Sequence, residues 1–297
     1  MSQTKTSRHG APATYLRAGQ IGRGEPVLLI HPFTTSRHVW DEVVPGLTDR
    51  YDVVAPTLAG HWGGPQVRRR DVSLRTYADG LEAVLDELGW ETAHLVGNSI
   101  GGWLSFELAR RGRARSITAI APAGSWDRFS LAKLEIATRF LAIYPFALLG
   151  HALDARVLSS LPVRRGALAI VSRRTGRVSK EQGAAFVAAS THCPSFFPFL
   201  VSELHQDADH LDVAGLDEQV PVRLVLCEHD RILPVARFGE PYVRALPHAD
   251  VVRLPGVGHI PMFEDPELVV DVVREHLDAV TARGASLPGR ARRSRSA

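Results

Sequence analysis

Short apolar runs alternate with amphipathic stretches along the first 124 residues. Pro26–Ile30 is an apolar run that ends at His31-Pro32-Phe33, and Tyr51–Pro56 is a second that runs into a Pro- and Gly-containing segment. Both read as buried strands, because a continuous apolar run of this length bounded by turn residues fits a strand covered on both faces. Val39–Leu47 carries apolar residues at helical spacing, and Thr76–Leu88 does so with Tyr77, Leu81, Val84, Leu85 and Leu88 on one face. The spacing predicts a surface helix for each. Next come a strand at His94–Gly97, a helix from Ile100 to Arg111 stopped by Gly112, and a strand at Ser116–Ala121.

Alternation of strand and helix predicts a mostly parallel central sheet with helices on both faces, since each crossover carries the chain back over the sheet. In such a sheet ligands bind at the carboxyl ends of the strands. The pattern stops after Pro122-Ala123-Gly124. From there to about Leu204 the periodicity is helical with no strand, which reads as an inserted helical cap, or lid. Strand-like runs return at Val222–Cys227 and Ala249–Leu254, followed by a helix from Pro266 to about Ala282. The expected organisation is a core formed by residues 11–124 and 206–282, a cap at 125–205, and a basic tail at 283–297. No repeat of 20 to 50 residues is present, so solenoids and propellers are excluded.

Composition refines this picture at three points. The net charge of +3 comes from the tail: Arg283, Arg290, Arg292, Arg293 and Arg295 lie in a segment without an acid, and without them the charge is −2. A Pro-, Gly-, Ser- and Arg-rich end of this kind buries no apolar surface and is expected to be disordered, and the folded body is expected to bind no nucleic acid. Cys193 and Cys227 match no metal-ligand or paired-thiol spacing, which fits a reducing compartment. Met1–Gly10 is followed by no apolar signal segment, and no run reaches the roughly 20 apolar residues of a membrane span. A cytoplasmic protein without a membrane partner is expected.

Candidate chemistry sits where these elements meet. Gly97-Asn98-Ser99-Ile100-Gly101 lies between a strand and a helix, where a sharp turn would push the Ser99 hydroxyl above the sheet. A serine hydroxyl is a weak nucleophile at neutral pH, so it needs a histidine to take its proton and a carboxylate to hold that histidine. Asp230 follows the strand ending at Cys227, and His259 follows the next strand on the glycine-rich Leu254-Pro-Gly-Val-Gly-His259 loop. Asp127, after the preceding strand, and Glu228 are rival acids, while His94, His229 and His248 are rival bases. His31 is read as tying down its loop.

These motifs (His31-Pro-Phe33 after a strand, Gly97-Asn-Ser-Ile-Gly-Gly102, Asp230 before Pro234, and Gly258-His259 ahead of Glu264-Asp-Pro266) resemble capped α/β-hydrolases over residues 13 to 280. The resemblance implies an α/β-hydrolase fold with Ser99 as nucleophile, Asp230 as orienting acid and His259 as base. It also implies that the backbone N–H groups of Phe33 and Ile100 form the oxyanion hole. The chain departs from the family pattern at Pro32, where glycine is usual, and at Thr57, where aspartate is usual.

The function expected is a serine hydrolase, carboxylesterase-like, cleaving a small apolar acyl or aryl ester without metal or organic cofactor. The aromatic residues of the insertion, among them Trp126, Phe129, Phe140, Phe186 and Phe199, are expected to build the cap core and partly the pocket, which disfavours charged substrates. Thioester and lactone hydrolysis share the same machinery. Hydrolysis of a carbon–carbon bond in an aromatic ring-cleavage product is suggested by the Gly-Asn-Ser-x-Gly-Gly elbow, although Ile260 stands where that group has tryptophan. Epoxide and haloalkane hydrolases of this fold use an aspartate where Ser99 stands. A catalytically silent ligand receptor is the alternative from another class.

Overall fold

The computed structural model describes residues 5–6, 12–13, 15–126, 131–152, 165–166, 168–205 and 212–286. A short antiparallel pair, β1 (Lys5–Thr6) and β2 (Pro12–Ala13), precedes the main sheet. That sheet contains β3 (Tyr15–Gly19), β4 (Glu25–Ile30), β5 (Tyr51–Pro56), β6 (Ala93–Asn98), β7 (Ala114–Ile120), β8 (Val222–Cys227) and β9 (Asp250–Leu254), in the order β3-β5-β4-β6-β7-β8-β9. Only β3 is antiparallel, to β5; every other pair is parallel. The central strands are apolar because both faces are covered: Val27 to Ile30 in β4 are fully buried. Each such aliphatic side chain contributes about 1.5–3 kcal/mol by leaving water.

The chain runs from β4 outward to β5, then crosses back through helix α1 (Leu74–Glu87) to β6 on the other side of β4. The order therefore reverses between β4 and β6, which opens a crevice at their carboxyl ends. Ser73 caps α1, its hydroxyl accepting the N–H of Thr76 at 3.1 Å. Helix α2 (Ile100–Arg110) starts one residue after Ser99 and ends before Gly112, whose φ of 76° is the left-handed turn that closes it.

The helix expected over Val39–Leu47 is replaced by two short 3₁₀ turns, Arg37–Trp40 and Val44–Gly46. Pro45 has no N–H to donate and its ring clashes with the preceding turn, so a continuous helix cannot run through. The helical spacing still buries Val39, Trp40, Val43, Val44 and Leu47, which makes this a core segment rather than a surface helix.

After β7 the insertion contributes only helices and turns among the described residues: α3 (Leu131–Ala152), α4 (Lys180–Thr191) and α5 (Phe196–His205). It forms the cap over the carboxyl ends of the strands. Short α6 (Leu216–Gln219) leads into β8, α7 (Glu240–Ala245) connects β8 to β9, and α8 (Pro266–Ser286) closes the fold. Helix α8 extends beyond Ala282, so the first residues assigned to a basic tail are helical; residues 287–297 lie outside the described residues, as do Asp127 and Phe129. Among the described residues no single helix is long and apolar enough to cross a membrane.

Candidate active site

The turn between β6 and α2 sets Ser99 at φ 56°, ψ −117°, one of three non-glycine residues with positive φ among those described. Such a conformation costs on the order of 1–3 kcal/mol and persists only where the surroundings fix it. Ser99 N–H donates to Ile120 O at 2.9 Å, and Ser99 O accepts the N–H groups of Trp103 and Ala123 at 3.1 and 3.0 Å. The flanking glycines are dictated by space. A Cβ on Gly97 would sit 2.1 Å from Gly101 O, and one on Gly101 would sit 2.2 Å from Ile30 O.

Asp230 follows β8 in a turn where its Oδ1 accepts the N–H groups of Ile232 and Leu233 at 2.8 and 2.7 Å. Its Oδ2 lies 2.6 Å from His259 Nδ1, and both side chains are almost wholly buried. The carboxylate thus fixes the ring so that Nδ1 carries the proton and Nε2 is free to accept one. Ser99 and His259 line the same cavity. Among the described residues no hydrogen bond joins them; such contacts often close only when substrate is bound.

The rival residues are occupied otherwise. Glu228 accepts Gly256 N–H at 2.7 Å on the exterior, and His94, within β6, bonds Ser116 Oγ at 2.8 Å. His31 is fully buried; its Nε2 accepts Leu58 N–H at 2.9 Å, so its Nδ1 donates to Pro32 O at 2.8 Å. This bond, with Thr35 N–H and Oγ1 on the same carbonyl at 3.3 and 2.7 Å, fixes the peptide that precedes Phe33. Among the described residues neither Phe33 N–H nor Ile100 N–H donates to a protein acceptor, and both residues border the cavity beside Ser99. Ile100 N–H also opens α2, whose aligned peptide dipoles favour negative charge there. Pro32 does not prevent this arrangement, since the N–H concerned belongs to Phe33.

Two side chains that the motif reading did not assign hold the histidine loop. Asn98 Nδ2 donates to His259 O and to Ile120 O, each at 3.0 Å, linking the elbow to the histidine. Glu264, 1% exposed, accepts Gly258 N–H at 2.7 Å through Oε1 and Arg174 N–H at 2.6 Å through Oε2. Ile260 N–H donates to Val171 O at 3.0 Å. The loop carrying His259 is therefore bound directly to the cap. Asn98 lies inside the elbow motif and Glu264 five residues after the histidine, but sequence spacing does not show what either touches.

Ser99 stands where two chambers meet. The first, about 590 Å³, is lined by Ser99, Ile100, Trp103 and Trp126 together with Lys133 and Glu203 of the cap. The second, about 800 Å³, includes His259, Thr34, Tyr144, Phe186 and Thr191. Phe33, Phe140 and Ile232 border both. The lining is mainly apolar as expected, and cap aromatics form much of it, but Lys133 and Glu203 are charged-type side chains in an apolar wall. Burial pushes the Glu203 carboxyl up to about 8, with the Lys133 charge pulling the other way. Burial likewise pushes the Cys193 thiol up to about 12 and Cys227 well above its ordinary value, so neither is a ready thiolate.

Residues 27–272 match the family model described as Alpha/beta hydrolase family. The chain is 41% identical over 212 residues to the epoxide hydrolase EphH of Mycobacterium tuberculosis, covering 70% of this chain and 96% of that protein. It is 28% identical over 269 residues to the pimeloyl-[acyl-carrier protein] methyl ester esterase of Methylococcus capsulatus, covering 86% and 96%. Among solved structures, a thermophilic esterase from Thermogutta terrifontis superposes with a TM-score of 0.71 at 22% identity, covering 94% of this chain and 97% of that one, a likeness of fold alone. The seven-stranded sheet with its inserted cap and the match across most of the chain place this protein in the alpha/beta hydrolase family, as a hydrolase.

Proposed function

We propose that the protein is a serine hydrolase that cleaves an ester with Ser99 as nucleophile, His259 as base and Asp230 as the acid that orients it. The observation that carries this reading is the placement of Ser99, in its strained turn, on one cavity wall with a histidine whose Nδ1 is held 2.6 Å from a buried carboxylate. Ser99 Oγ attacks the ester carbonyl while His259 Nε2 takes its proton, and the imidazolium that forms is stabilised by Asp230. Negative charge on the former carbonyl oxygen falls to Phe33 N–H and Ile100 N–H; one such donor is typically worth about 2.7–4 kcal/mol in the barrier. His259 then protonates the leaving alcohol, and water activated by the same histidine hydrolyses the acyl-enzyme. Thioester and lactone carbonyls fit the same steps.

A second reading, epoxide opening, is favoured by the 41% identity to a protein named as an epoxide hydrolase. Its chemistry differs at the nucleophile. An aspartate attacking an epoxide carbon gives an ester that water can hydrolyse at its carbonyl, whereas a serine would give an ether with no carbonyl to attack. With Ser99 in that place, epoxide opening here would be direct attack by a water that His259 and Asp230 activate.

The test is hydrolysis of a p-nitrophenyl ester chain-length series and of a styrene-oxide-type epoxide, by wild type and Ser99→Ala. The ester reading expects Ser99→Ala to lose about 10⁴-fold or more of kcat on every ester, in keeping with nucleophile removal from a triad. Fluorophosphonate should label wild type only. Epoxide hydrolysis that survives Ser99→Ala, with no ester cleaved by wild type, would replace the first reading with the second.

A further inference from the structure

Cleavage of an ester at Ser99 settles where most of the groups around the carbonyl carbon must point. The serine oxygen adds from Ser99, the oxyanion turns to the Phe33 and Ile100 N–H groups, and the leaving oxygen must meet a proton from His259. Asp230 occupies Nδ1 of that ring, so the proton is delivered from Nε2. His259 lines the second chamber and not the first, whereas Ile100 lines the first and not the second. The alcohol half therefore belongs in the second chamber. The acyl chain, the one group left to place, belongs in the first.

Phe33, Phe140 and Ile232 border both chambers, and the Phe33 and Phe140 rings meet edge to face with their centroids 5.4 Å apart. Part of the boundary is thus an aromatic contact. At about 590 and 800 Å³, each chamber by itself falls within the roughly 300–1,000 Å³ of an ordinary ligand pocket. A methyl or acetyl group would leave most of either one unfilled, and an apolar wall without partner atoms gains no dispersion energy. Each chamber also carries a small aliphatic side chain on a cap helix: Ala137 of α3 in the first and Val187 of α4 in the second. Both are buried, and each lines one chamber only.

We propose that the two chambers hold the two halves of one substrate, an ester with a sizeable apolar group on each side of its linkage, and that Ala137 limits the acyl chain while Val187 limits the alcohol. This inference rests on the Ser99 ester reading and adds to it the class of substrate and two specificity-determining residues. No covalent step is added, since Ala137 and Val187 only shape the chambers.

Wild type is first compared on butyl butanoate, methyl butanoate and butyl acetate at neutral pH. Butyl butanoate should be favoured over each of the others by about tenfold or more in kcat/KM, because one methylene in an apolar pocket is already worth about tenfold. A methyl ester or an acetate cleaved equally well would overturn the substrate class. Ala137→Leu and Val187→Phe then test the assignment, with the milder Ala137→Val and Val187→Ile beside them and fluorophosphonate labelling of Ser99 reporting an assembled site in each. Ala137→Leu should lower kcat/KM about tenfold or more as the acyl chain of a methyl ester lengthens, and leave a series of acetates of lengthening alcohols unchanged. Val187→Phe should do the reverse. The opposite pairing, an equal loss on both series, or no loss in the labelled variants would overturn the assignment and leave the ester reading standing. No ester cleavage and no labelling in wild type would remove the ester reading, and the chamber assignment with it.

Discussion

The two walls of the cavity are built on different principles. The lower wall, from the sheet, is made of turns in which backbone geometry is fully determined: Ser99 at positive φ between glycines that admit no Cβ, and Asp230 with both oxygens occupied. The upper wall, from the cap, is made of helix faces whose aromatic and aliphatic side chains fill space, with Lys133 and Glu203 set among them. Chemistry demands placement of reacting atoms to a fraction of an ångström, which turns locked by hydrogen bonds provide. Selection demands a shape and a few polar groups, which helices supply without strain. The walls meet at the histidine loop, held from below by Asn98 and from above by Val171 and Arg174.

This division can be broken at its strongest point first. Asp230→Asn should leave the fold intact but disturb the tautomer of His259, lowering kcat by about 10⁴-fold. The preference among ester chain lengths, which the other wall should set, is expected not to move; a change in it would show that the walls do not act separately. Gly101→Ala addresses the geometry itself. With its Cβ 2.2 Å from Ile30 O, a backbone atom that cannot step aside, the variant should lose about 3 kcal/mol of stability in urea denaturation. An unchanged midpoint would mean that the elbow tolerates a shift of the strand beneath it.

A milder probe is acid. His61, His94 and His276 are held neutral by burial, each with its pKa lowered from 6.5 to about 4. The unfolded chain therefore takes up protons first as pH falls. Stability is full above pH 6.5 and declines between about 6.5 and 4, by at most about 1.4 kcal/mol per pH unit for each histidine. Melting temperatures at pH 7, 6 and 5 should fall in step; a flat profile would mean that these sites admit a charge readily.

Much of the lower wall was legible because its information is local. A strand, a glycine-flanked serine and a helix are contiguous in sequence, and Asp230 and His259 each follow directly on a strand, so strand-end placement brought them to one edge. The same local reasoning failed at Val39–Leu47, where apolar spacing was right but Pro45 forbids the helix. It did not reach the upper wall, since Lys133 and Glu203 come from different helices and no periodicity records which faces of a cap look inward.

By itself, the sequence determined the order of strands and helices, the insertion point of the cap, and the three residues carried to the strand ends. Burial of apolar runs and the steric limits on backbone turns are encoded within a few residues of where they act. The tertiary structure alone decided that Ser99 opens onto two chambers, that a lysine and a glutamate share one of them, and that Glu264 joins the histidine loop to Arg174, 90 residues away. Those relations arise only when distant elements pack, because packing and desolvation depend on what surrounds a side chain and not on its neighbours in the chain.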